Sequence, residues 1–94
     1  MDGLIVKQPW ANDIISGKKK VEYRSNKLPD SKKWVYVYLL SGGKALGKIR
    51  FEGYNEHSTG YEWIISKVEP FSSPKPYIHP HGARVWVTEV VLDE

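Results

Sequence analysis

The chain has 94 residues, no cysteine and a formal net charge of +3, with an isoelectric point near 9.1. That length makes one domain, 1–94, which buries roughly two-thirds of its unfolded surface. The lack of cysteine excludes disulfides, thiolate metal sites and thiol catalysis.

Composition narrows the reading further. The N-terminus holds no apolar run long enough for a signal peptide or a membrane span, so a cytoplasmic protein without a membrane partner is expected. The mild excess of lysine and arginine suits a nucleic-acid partner without demanding one. Aromatic residues make up 13% of the chain, including four Trp and six Tyr. Some of these are expected to pack between strands and the rest to sit half exposed, where aromatics serve binding.

In chain order, Leu4 to Lys7 is a short apolar run that predicts a first strand. Pro9 suits the start of a helix and Gly17 suits its end. Between them Trp10, Ala11, Ile14 and Ile15 form an apolar stripe, while Asn12, Asp13 and Ser16 face water. A helix of about two turns does not survive alone, so its stripe must lie on a sheet.

Lys20 to Arg24 alternates, with Val21 and Tyr23 on one face and Lys20, Glu22 and Arg24 on the other. Pro29-Asp30 marks a polar loop. Trp34 to Leu40 is rich in β-branched and aromatic residues and predicts a third strand, followed by a turn at Ser41-Gly42-Gly43. From Ala45 to Gly53 the alternation is clearest: Ala45, Gly47, Ile49 and Phe51 oppose Lys48, Arg50 and Glu52, as in a half-buried antiparallel strand. Tyr61 to Val68 predicts another strand. Pro70 to Gly82, with its prolines and histidines, predicts a long loop, and Arg84 to Leu92 a last strand. The fold class is therefore mainly β, a small antiparallel β-barrel of five to six strands with one N-terminal helix closing one end.

The segment 4–24 carries most of the candidate chemistry. Lys7, Gln8, Trp10, Lys19, Glu22 and Arg24 lie at its junctions and supply donors, acceptors and an aromatic face. Glu22 and Arg24, two apart on a strand, share a face about 6.5–7 Å apart along the backbone. One reading is a polar cleft in which Glu22 accepts from a base amine while Arg24 grips a phosphate or carbonyl and Lys19 adds charge. The plainer reading is a surface ion pair worth at most about 1 kcal/mol. Gln8 stands at the helix start, where Ser, Thr, Asp or Asn caps better. Either its amide is held for a ligand or the helix is loosely capped. Trp10 is expected to pack partly under the helix while offering an edge to a stacked base. Trp63 is a second stacking candidate, with core packing as its alternative. His79 and His81 flank Pro80 without the further ligands of a zinc site, so neither metal nor cofactor is expected.

Gln8-Pro9-Trp10-Ala11, Ile14 and Ile15, Gly17-Lys18-Lys19, Glu22 and Arg24 together resemble the ASCH domain, a member of the PUA-like superfamily. The likeness continues through Ala45-Leu46-Gly47-Lys48-Ile49, Tyr61-Glu62-Trp63-Ile64-Ile65-Ser66 and Pro74-Lys75-Pro76. The resemblance implies a pseudo-barrel with a cleft beside the first helix and a ligand that is RNA or a modified nucleoside; a monomer is expected. Some ASCH proteins are enzymes, so a nucleic-acid-directed hydrolase is the alternative. The acetylcytidine amidohydrolase branch uses a lysine, a threonine and a glutamate. The lysine falls on Lys19, but Glu22 stands at the threonine position, and the glutamate falls on either Glu62 or Glu69. A carboxylate does not replace a hydroxyl in that chemistry. A ribonuclease would use Lys19 with Tyr23 or a histidine.

Overall fold

The computed structural model describes residues 1–93. Strand β1 spans Gly3–Ile5, helix α1 Trp10–Ile15, β2 Val21–Arg24, β3 Tyr36–Ser41, β4 Lys44–His57, β5 Gly60–Pro76 and β6 Trp86–Val87, with a 3-10 turn at Asp30–Lys32. The strands form one sheet in the order β2-β5-β4-β3-β1-β6. Neighbours are antiparallel except β1 and β3, which run parallel with Leu4 opposite Leu39. The chain is therefore mainly β with one α-helix among the described residues.

Strand β4 follows its sequence pattern. Ala45, Gly47, Ile49 and Phe51 are buried, and Glu52 is exposed. Ile49 and Phe51 join Leu4, Val6, Val37 and Leu39 beneath α1, which contributes Ala11 and Ile14. Successive residues of a strand point to opposite faces. Leu40 therefore leaves the cluster that Leu39 enters and packs with Ala45, Tyr77 and Val87. Both leucines are fully buried because the C-terminal segment covers the second face.

Helix α1 is only six residues long and is held by its packing. Gly47 permits its close seat. A Cβ there would lie 2.5 Å from the Glu69 carbonyl oxygen and 2.7 Å from Ile15 Cδ1. The start of the helix is capped from outside: Gln8 Oε1 accepts from the Asn12 N–H at 3.0 Å, and Gln8 Nε2 donates to Asn12 Oδ1 at 3.1 Å.

The predicted barrel does not close. Strands β2 and β6 end the sheet order and do not pair with one another. Edge strands of four and two residues offer too short a ladder to complete a ring. Curvature is still strong, because β4 and β5 shift register at Ala45/Gly47, Arg50/Phe51 and Phe51/Gly53, and such bulges bend and twist a strand. The bend brings β2 to β1, where Arg24 Nη2 donates to the Ile5 carbonyl at 2.8 Å. A side chain thus spans the gap that a ladder would fill in a barrel.

The loop predicted from Pro70 to Gly82 is largely strand, since β5 runs to Pro76 beside β4. Strand β2 covers β5 only from Tyr61 to Ile64. From Ser66 to Lys75 no described strand pairs with that edge of β5, and proline, lacking an N–H, is tolerated at such an edge. Conversely, the strand predicted from Arg84 to Leu92 is regular only at Trp86–Val87, with an isolated bridge between Tyr77 and Leu92. Its strand neighbour is β1, which has three residues.

Candidate functional site

Strand β2 turns its charged face inward. Glu22 is 6% exposed, whereas Tyr23 is 60% exposed. Burying a carboxylate is costly unless it is paired and hydrogen-bonded. Here both oxygens are engaged. Arg24 donates through Nε to Oε2 at 2.8 Å, and its Nη2 lies 2.8 Å from the same oxygen. Lys19 Nζ lies 3.5 Å from Oε1. The turn that carries Lys19 is itself fixed, since its N–H donates to the Asp13 carbonyl at 2.9 Å. The Arg24 guanidinium also lies over the Trp63 ring, 5.7 Å from its centre. No buried side-chain nitrogen or oxygen among the described residues lacks a partner.

These groups line a hollow of about 390 Å³ between the end of β1, α1 and β2. Ile5 and Val6 provide its apolar part. Trp10, 49% exposed, stands on one side. Lys19 Nζ is 5.7 Å from the Trp10 ring centre and 5.5 Å from that of Tyr23, so the ammonium is held between two aromatic faces. Lys7 and Arg84 complete the lining. The lining thus holds four cationic side chains and one carboxylate.

Of the residues singled out from the sequence, Lys7, Trp10, Lys19, Glu22 and Arg24 come together here. Trp10 lies further out than predicted, because the helix is too short to cover it and only Ala11 and Ile14 are buried on it. Gln8 is not in the hollow, and its amide is used in the cap on Asn12. Trp63 is a core residue, 2% exposed, packed edge-on against Phe51 and stacked on Trp86. Its Nε1 donates to the Asn26 carbonyl at 2.9 Å, leaving no free face for a base. It backs Arg24 instead.

Sequence reasoning missed Arg84, which arrives from a segment 60 residues beyond Arg24 and carries no local pattern. Tyr23 was placed opposite Glu22 and is so, yet its ring reaches the rim of the hollow. Its hydroxyl donates to Glu62, and that bond raises the Tyr23 pKa above its ordinary value. Glu62 lies below the usual carboxylate range, first through a hydrogen bond from His57 and then through Tyr23. His57 Nε2 and Glu62 Oε1 are 2.7 Å apart.

His79 belongs to the C-terminal segment. The Tyr77 hydroxyl donates to its Nδ1 at 2.7 Å, and its Nε2 donates to the Ala83 carbonyl at 3.1 Å. Among the described residues no group of three or more His, Cys, Asp or Glu is placed to hold a metal ion. No helix among them is long and apolar enough to cross a membrane.

No curated protein matches the sequence. The family model of the ASCH domain matches residues 4–75, which include α1, β2 and every residue of the hollow except Arg84. With most of its length so matched, the chain belongs to the ASCH domain family.

Proposed function

We propose that this protein binds RNA or a modified nucleoside in the hollow between α1 and β2, as a cytoplasmic monomer. The ASCH domain is generally associated with RNA binding. The observation that carries the reading is the convergence of Lys19, Arg24, Lys7 and Arg84 on a space bounded by the exposed Trp10 ring. Trp10 stacks on a base, and the cations hold its carbonyl or a phosphate. A stack of this kind is worth about 1–3 kcal/mol. Glu22 serves a different purpose from the one its residue type suggests. With both oxygens on cations, it orients Lys19 and Arg24 toward the ligand. Binding is favoured over hydrolysis because Glu22 occupies the position where the amidohydrolase branch has a hydroxyl.

The test is a titration of short single-stranded RNA and of nucleosides, including acetylcytidine, followed by tryptophan fluorescence at two salt concentrations. Binding that weakens with salt is expected. Lys19→Ala and Arg24→Ala are expected to weaken it, with the ligand recovered intact. Folded variants that bind like the parent would remove the hollow from consideration. Cleaved RNA or released acetate would move the protein to the hydrolases.

A further inference from the structure

The hollow beside α1 has a neighbour. Tyr23 and Arg24 also line a second hollow of about 500 Å³ at the tip of the β4–β5 hairpin, completed by His57, Ser58, Thr59 and Glu62. Both hollows lie along β2 and share Tyr23 and Arg24. That ring is exposed but not loose. Its hydroxyl is bonded to the Glu62 carboxylate, which His57 holds from the other side at 2.7 Å. Gly60 brings the hairpin tip against β2. Its φ is 149°, and a Cβ there would lie 2.7 Å from the Arg24 carbonyl oxygen, so other residues are excluded.

We propose that the hairpin-tip hollow is a second nucleotide subsite, which makes the ligand a single-stranded oligonucleotide of at least two residues. This rests on the reading of the first hollow as a nucleotide site. Contiguity is the first argument: the two hollows share Tyr23 and Arg24 in their linings. Size is the second, because about 300–1,000 Å³ is the range of small-molecule sites and this volume falls within it. Chemistry is the third. Tyr23 offers a held aromatic face at the step between two bases, and stacking tolerates any base. The Ser58 and Thr59 hydroxyls and the Glu62 carboxylate offer donors and acceptors to base edges and to a ribose hydroxyl. Arg24, common to both hollows, is the cation available to a phosphate that bridges them.

Calorimetric titration tests this with three sets of probes: the four ribonucleoside 5′-monophosphates, the dinucleotides built from them, and mixed-sequence single-stranded hexamers. The best dinucleotide is expected to bind about tenfold or more tightly than the best monophosphate, as one further stacked base provides. His57→Ala and Thr59→Glu, both at the exposed hairpin tip, are expected to remove that advantage and leave monophosphate binding unchanged. Monophosphate binding with no gain for dinucleotides overturns the second subsite alone. So do two folded variants that both keep the parent's dinucleotide affinity. If neither these probes nor the nucleosides of the first titration bind, the first hollow is not a nucleotide site and both readings fall.

Discussion

Arg24 Nη2 donates to the carbonyl of Ile5 at 2.8 Å, so one guanidinium joins β2 to β1 although three strands lie between them in the sheet order. The same side chain neutralises the buried Glu22 and lines the candidate site. Fold and site therefore depend on one residue. Arg24→Ala is expected to lower stability by about 1.5–3 kcal/mol, the usual worth of hydrogen bonds to charged groups. Arg24→Lys is expected to recover only part of the loss, since an ammonium cannot reach Ile5 and Glu22 in one planar fork. Urea unfolding of the three proteins checks the order.

Two tryptophans separate stability from binding. Trp63 is in the core, and Trp63→Ala is expected to cost about 3–5 kcal/mol. Trp10 is half exposed, so Trp10→Ala is expected to change stability by no more than about 0.5 kcal/mol. The same change is expected to weaken RNA binding by about 1–3 kcal/mol. Denaturation and titration of both variants measure the contrast.

Arg84 is exposed and forms part of the hollow without a role in the core. Arg84→Ala is expected to fold normally, weaken binding and flatten the salt dependence of the affinity by a slope of about 0.7, the value for one phosphate contact on a single strand. A series of titrations from low to moderate salt reads that slope. An unchanged slope would place Arg84 outside the phosphate path.

Asp2 ties the N-terminus to the C-terminal segment. Its Oδ1 accepts from the Glu89 N–H at 3.0 Å and its Oδ2 from Lys32 Nζ at 2.9 Å. The Glu89 hydrogen bond, followed by the Lys32 contact, holds its pKa below the ordinary value. A carboxyl depressed on folding adds stability above its unfolded-state pKa and loses it as pH falls through the folded-state value. Asp2→Asn is thus expected to be less stable than the parent near pH 7, with the difference disappearing toward about pH 2. Unfolding midpoints at both pH values test the sign.

Several elements were legible before any coordinates. The alternation from Ala45 to Phe51 stood out because one face of β4 is buried over that stretch. Pro9 and Gly17 bracketed α1 because the ends of a helix have residue preferences of their own. The proline-bearing end of β5 was misread because proline's effect depends on which edge of a strand is free, and strand neighbours are not local information. Gln8 was ambiguous because an amide serves equally as cap or ligand donor, and only the position of Asn12 resolves its use.

By itself the chain of residue types determined the classes of α1, β2, β3 and β4 and the concentration of ionic groups around α1, because periodicity and turn chemistry act over a few neighbouring positions. Tertiary structure alone decided that the sheet stays open, that Glu22 faces inward between two cations, that Trp63 is core while Trp10 is not, and that Arg84 joins the site. The reason is range. Burial and ion pairing are set by strand order and sheet curvature, which bring together groups that lie far apart along the chain.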